Sequence, residues 1–215
     1  MPAEKHEVFW QMAHSLAAVA APMPMGSQMG TLLGQLWRAP CCNKTKEPFW
    51  RLTVHALPTA QRRAAYGETC PCGTAYAGRG HHWWDCPVAK TVICEMQRQL
   101  NAYAAAVNKP VQQLSALNVW LAEVPDGVKP WLWQTVCMAA VAAMDYGRNV
   151  IAAQAREAAV SGSTMLRNAS NGSVAHFWSL LEEAPASRRL PTSPAAVAIQ
   201  PFFRFCGHWT VARVP

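Results

Sequence analysis

The sequence predicts a mainly α fold: a helical domain interrupted by one cysteine- and histidine-bearing loop and closed by an irregular, proline-rich tail. Three observations carry this. Apolar residues recur at helical spacing in Ala-, Met- and Val-rich segments. Prolines and glycines divide those segments. Hydrophobic residues make up 51% and charged residues only 14%, against roughly 25% charged in an average soluble protein. That balance excludes a disordered chain, which would be charge-rich and apolar-poor.

Along the chain, Val8, Met12, Leu16 and Val19 place an amphipathic helix over Glu4 to Ala21. Ala21-Pro-Met-Pro-Met-Gly-Ser cannot continue it, so residues 1–30 are an N-terminal helix and linker. A short helix spans Thr31 to Arg38, and Pro40-Cys41-Cys42-Asn43 breaks it. Lys46 to Tyr66 reads as a helix, a turn at Leu57-Pro58-Thr59 and a second helix capped by Thr59. Residues 67–82 hold too many glycines for regular structure. Pro87 suits a first helical turn and opens a helix to about Val107. A short helix or extended piece follows over 111–121. Lys129-Pro130 opens the longest helix, Trp131 to about Val160, which Ser161-Gly162-Ser163 ends. Residues 161–173, rich in Ser, Asn and Gly, read as a mobile linker before a helix over Val174 to Leu181. The tail, 184–215, is punctuated by proline. The expected divisions are 1–30, a helical domain built around the cysteine- and histidine-bearing loop at 31–110, a helical extension at 111–183, and the tail.

A membrane span is not expected. The longest uncharged apolar stretch, Trp131 to Met144, is broken by Gln134 and Thr135 and falls short of the roughly 20 residues required. The N-terminus, with Glu4, Lys5, His6 and Glu7, has no apolar signal core. An intracellular location, nucleus or organelle such as the mitochondrion, is therefore expected rather than secretion. There the eight cysteines read as thiols or metal ligands before disulfides.

Cys70-Pro-Cys72-Gly73 and His81-His82-Trp83-Trp84-Asp85-Cys86-Pro87 carry the chemistry. Three cysteines and a histidine this close in sequence suit a tetrahedral Zn²⁺ site. The ligand set read here is Cys70, Cys72, His81 and Cys86. His81 is favoured over His82 because its spacing places it on the same side of a helical entry as Cys86. Four protein ligands leave no open position for catalysis, so the zinc is structural. The fold class is thus helical with a Cys-Cys-His-Cys zinc knuckle between helices.

Leu36-Trp37-Arg38, Phe49-Trp50-Arg51-Leu52, Ala56-Leu57-Pro58-Thr59, Cys70-Pro-Cys72-Gly73, His81 and Cys86-Pro87-Val88-Ala89 together resemble the zinc-binding region of non-LTR retrotransposon reverse transcriptases, over about residues 36–95. The resemblance implies a fragment of retroelement origin, C-terminal to a polymerase that this sequence lacks. No Tyr-x-Asp-Asp is present. The first pair is Cys-x-Cys where the family has Cys-x-x-Cys. That tighter chelate leaves Cys41, Cys42 or Cys94 as alternatives to Cys70. A retroelement nuclease would use Pro125-Asp126 and Asp145, but Asp145-Tyr146-Gly147 lacks the lysine such a site needs, and no enzyme activity is expected.

The formal charge is +7. Nine Lys/Arg against four acids lie between Arg38 and Arg98, around the knuckle. Cations beside a zinc knuckle with aromatics are the footprint of RNA or other nucleic acid. Arg51, Arg62, Arg63, Arg79 and Lys90 are expected near phosphates, with His82 and Trp84 as base-contacting neighbours. Of the ten tryptophans, Trp10, Trp37, Trp50, Trp120, Trp131, Trp133 and Trp178 fall on apolar helical faces, suited to core packing or to protein subunits. The expected function is a non-catalytic, zinc-stabilised nucleic-acid-binding protein in a ribonucleoprotein assembly such as an organellar ribosome. The alternative is a subunit of a protein-only complex.

Overall fold

The computed structural model describes residues 31–32, 34–35, 38–39, 41–53, 70, 72–75, 77–106, 108–154 and 162–183. Those residues are mainly helical, with no strand among them. The expected N-terminal helix and linker, the Leu57-Pro58-Thr59 turn with its second helix, and the tail lie outside the described residues.

Helix α1 spans Asn43–Thr53. It begins three residues earlier than the sequence suggested, because the Cys42 carbonyl accepts from the Thr45 and Lys46 amides at 3.1 and 3.2 Å and so caps the first turn. A π-helical turn, His81–Asp85, leads into α2, Pro87–Ala106. Pro87 occupies the position where a missing N–H is harmless. The short α3, Ala116–Trp120, carries a capping box between Ser115 and Asn118. Helix α4, Pro130–Gln154, is the longest at 25 residues, and α5 spans Gly162–Glu183.

Helix α4 is the axis of the fold. It packs against α1, α2, α3 and α5. From Leu132 to Met144 nearly every side chain is buried, which is why this stretch is apolar on all sides. No described helix is long and apolar enough to cross a membrane. One hydrophobic core runs from Leu32 to Leu181, so helices on both sides of residue 110 share it.

The expected mobile linker at 161–173 is instead the first half of α5. Serine, asparagine and glycine are poor helix formers, but here small residues are what the packing requires. A Cβ on Gly147 would stand 1.9 Å from Ser173 Oγ, 2.7 Å from Val88 Cγ1 and 3.2 Å from the Ala169 carbonyl oxygen. Helices α2, α4 and α5 therefore meet at a point where only glycine fits. The Ser173 hydroxyl is satisfied by donating to the Ala169 carbonyl at 2.7 Å.

Trp83, Trp120, Trp133 and Trp178 are buried. Their apolar mass serves the chain's own core, not a partner. Asn118 holds this region together. Its carbonyl accepts from Trp133 Nε1 at 2.8 Å and Cys137 Sγ at 3.2 Å, and its side-chain amide donates to the Glu123 carbonyl at 3.0 Å. Trp84 and Trp131 are half-buried, and Trp50 is exposed.

Candidate metal centre

The loop ahead of α2 turns sharply at Cys70–Thr74. The Gly73 amide donates to the Cys70 carbonyl at 2.8 Å, and the Cys70 amide to the Thr74 carbonyl at 2.9 Å. Gly73 has φ +94°, a left-handed conformation that glycine adopts without a Cβ clash. The chain returns through Arg79 and Gly80, which are already helical, into the π-turn. The Gly-rich segment thus gives way to helix three residues before the expected end of the loop. The Cys86 amide donates to the His81 carbonyl at 2.7 Å, an i to i+5 bond that closes the wide turn. The Cys86 carbonyl then accepts from Lys90 at 2.8 Å in the first turn of α2.

These two turns bring Cys70, Cys72, His81 and Cys86 together, with all four donor atoms within 4.8 Å of one another. Cys70 Sγ and Cys86 Sγ are 3.9 Å apart, and Cys72 Sγ and His81 Nε2 are 3.2 Å apart. Two thiolates bound tetrahedrally at about 2.3 Å from one zinc would be separated by about 3.8 Å. The sulfurs are too far apart for a disulfide and are free thiols. Cys70 and Cys86 are buried, while Cys72 and His81 are half-buried. Cys41, Cys42 and Cys94 are not part of the cluster, so the Cys-x-Cys pair itself supplies two donors.

The surroundings favour a thiolate at Cys72 and Cys86. The amide of the residue two positions on hydrogen-bonds each sulfur: Cys72 to Cys70, Thr74 to Cys72, and Val88 to Cys86. The Cys86 thiol is pushed down to about 4, first by the Cys70 side chain and then, against the cost of burial, by His81 and the Val88 amide. Cys70 is pushed up, because it holds the proton it shares with Cys86 and because it is buried. Burial raises Cys72, yet the Thr74 hydroxyl and amide outweigh it and the net shift is downward. His81 is raised, chiefly by its hydrogen bond with Cys86. An S₃N donor set with ordered amide donors behind it can hold a soft or borderline metal ion.

The residues expected to meet nucleic acid are divided. Lys90 and Arg51 are exposed, but Arg51 pairs with Glu47 one turn earlier on α1. Arg62 and Arg63 lie outside the described residues. Arg79 and His82 are corrections: both are buried, at 3% and 8% exposure, so neither offers itself to a phosphate or a base. The π-turn directs His82 inward, and its imidazole is pushed down to about 4 by burial, then by the Arg148 and His81 charges. Trp84 is half-buried. Asp145, weighed above as a nuclease ligand, lies on α4 and accepts from Arg148 at 2.9 Å.

Three features of the centre were not read from the sequence: the Thr74 hydroxyl on Cys72, the Val88 amide on Cys86, and Arg148. The Arg148 guanidinium carbon sits 5.7 Å from the Trp83 ring centroid. The second follows from a rule, since an i+2 amide behind a cysteine is what a helix start provides, whereas the Thr74 hydroxyl is a side-chain contact. The third is a long-range contact that no local signal announces.

No family model, no curated protein and no solved structure matches the chain.

Proposed function

We propose that Cys70, Cys72, His81 and Cys86 hold one zinc ion that clamps the loop to the N-terminus of α2, and that the chain is a non-catalytic nucleic-acid-binding protein of a ribonucleoprotein assembly. The observation that carries the metal reading is the four-donor cluster, with its 3.9 Å sulfur pair and an amide behind each sulfur. When bound, the zinc supplies charge neutralisation for buried thiolates and a cross-link between two turns. This chain's residues supply the closed coordination shell, which leaves no position for substrate. The resemblance to the reverse-transcriptase zinc-binding region supports a retroelement origin.

The formal charge of +7 supports an anionic partner. Lys90, exposed on the first turn of α2, is the cation nearest in sequence to the ligands that remains accessible. Metal analysis of protein purified without chelator tests the first part: about one equivalent of zinc is expected, and less than half an equivalent removes it. RNA binding measured across salt tests the second. Affinity falls steeply from about 50 to 500 mM as counterions are released, and a flat response contradicts phosphate contact.

A further inference from the structure

An aromatic surface lies outside the metal-ligand set. Tyr146 on α4 is 42% exposed, the most open of the described Trp, Tyr and Phe side chains. Its neighbours Met144 and Gly147 are buried, so Tyr146 occupies the solvent side of the helix. The ring is nevertheless held in place. It stacks on the His176 imidazole of α5, with centroids 4.4 Å apart and planes inclined by 29°. It also lies beside Gly172, one turn before His176, where a Cβ would be 3.5 Å from Tyr146 Cε1.

Lys44 is exposed in the first turn of α1. Among the described residues no carboxylate forms an ion pair with Lys44. Burial first and Lys44 second hold the His176 imidazole below its usual range, with Glu183 opposing. The imidazole that backs Tyr146 is therefore uncharged at neutral pH.

A solvent-facing ring that packing has already immobilised loses little further rotamer freedom when something stacks on it. The chain's formal charge of +7 attracts phosphate. Single-stranded nucleic acid offers both a flat base and a phosphate, whereas a duplex keeps its bases stacked inside. We propose that Tyr146, backed by His176, is a stacking platform for an unpaired base of single-stranded RNA. This rests on the nucleic-acid reading above.

The test uses the full-length, metal-loaded chain and a fluorescent oligouridine, with anisotropy as the readout. Tyr146→Ala is expected to weaken binding about 5- to 150-fold, the range for loss of one stacked base. Tyr146→Trp is expected to keep wild-type affinity. Circular dichroism and metal content of each variant confirm that the fold is intact. Equal affinity of wild type and Tyr146→Ala overturns the platform while leaving nucleic-acid binding standing. No binding by the wild-type chain overturns both. A Tyr146→Ala defect just as large on an RNA duplex as on the oligouridine also overturns the platform, because base stacking would not be its cause.

Discussion

The indole N–H of Trp120 donates to the backbone carbonyl of Trp83 at 3.2 Å, and both rings are buried. Trp83 lies in the π-turn between His81 and Cys86, and Trp120 ends α3. One hydrogen bond therefore ties the candidate metal ligands to the centre of the core. Disturbance at the ligands reaches the hydrophobic interior without passing through any flexible segment.

Metal removal is expected to show in the tryptophans. Stripping the ion with a chelator frees the π-turn and should red-shift the emission of Trp83 and Trp120. A ligand present at a thousandfold its Kd contributes about 4 kcal/mol to stability. Its loss should lower Tm by about 8–16 °C in a chain of this size. Identical melting curves with and without chelator, on protein shown to have contained metal, would count against this coupling.

Cobalt substitution separates the cysteines. Three thiolates should give strong sulfur-to-cobalt charge-transfer absorption, and Cys70→Ser should remove about a third of it. Cys41→Ser, Cys42→Ser and Cys94→Ser should leave it unchanged. An undiminished band in Cys70→Ser would return the fourth ligand to one of those three.

Gly147→Ala should destabilise the fold even though alanine is the better helix former. Its methyl group meets Ser173 Oγ and Val88 Cγ1 well inside contact distance. Overpacking of this kind costs about 1–3 kcal/mol. Urea unfolding should show a lower midpoint, and Ser173→Ala in the same chain should recover part of the loss, with Val88 retaining the rest.

The imidazole of His176 should titrate below an ordinary histidine, as followed by NMR. Its depressed value means that the unfolded chain takes up the proton first. The contribution to stability is present above the unfolded value and fades as pH falls through it toward the folded one. Lys44→Gln should move the midpoint up and Glu183→Gln should move it down. A midpoint indifferent to Lys44 would place that ammonium out of reach.

Local chemistry was legible in the sequence where one residue type decides the outcome. Pro87 marked the start of α2, the stretch after Lys129 opened the longest helix, and the spacing of Cys70, Cys72, His81 and Cys86 suggested the cluster that the fold assembles. Legibility ended where distant segments decide. The Ser-, Asn- and Gly-rich stretch looks like a linker until α4 is placed beside it; then Ala169 and Ser173 lie against Gly147, and small residues there become the condition for close packing. Arg79 looks like a surface cation and His82 like a base-contacting side chain until the fold buries both. The Tyr146–His176 stack joins positions thirty residues apart and leaves no periodic trace.

The i to i+5 bond from Cys86 to His81 also acts as a ruler. An α-helix turns about 100° per residue, so adding or deleting one residue between the two would swing the imidazole roughly a quarter-turn away from the sulfurs. Substitutions within His82-Trp83-Trp84-Asp85 change what that stretch packs against, but a change in its length would separate the ligands outright. The chain's tolerance of insertions and deletions should therefore drop to nothing over these four positions.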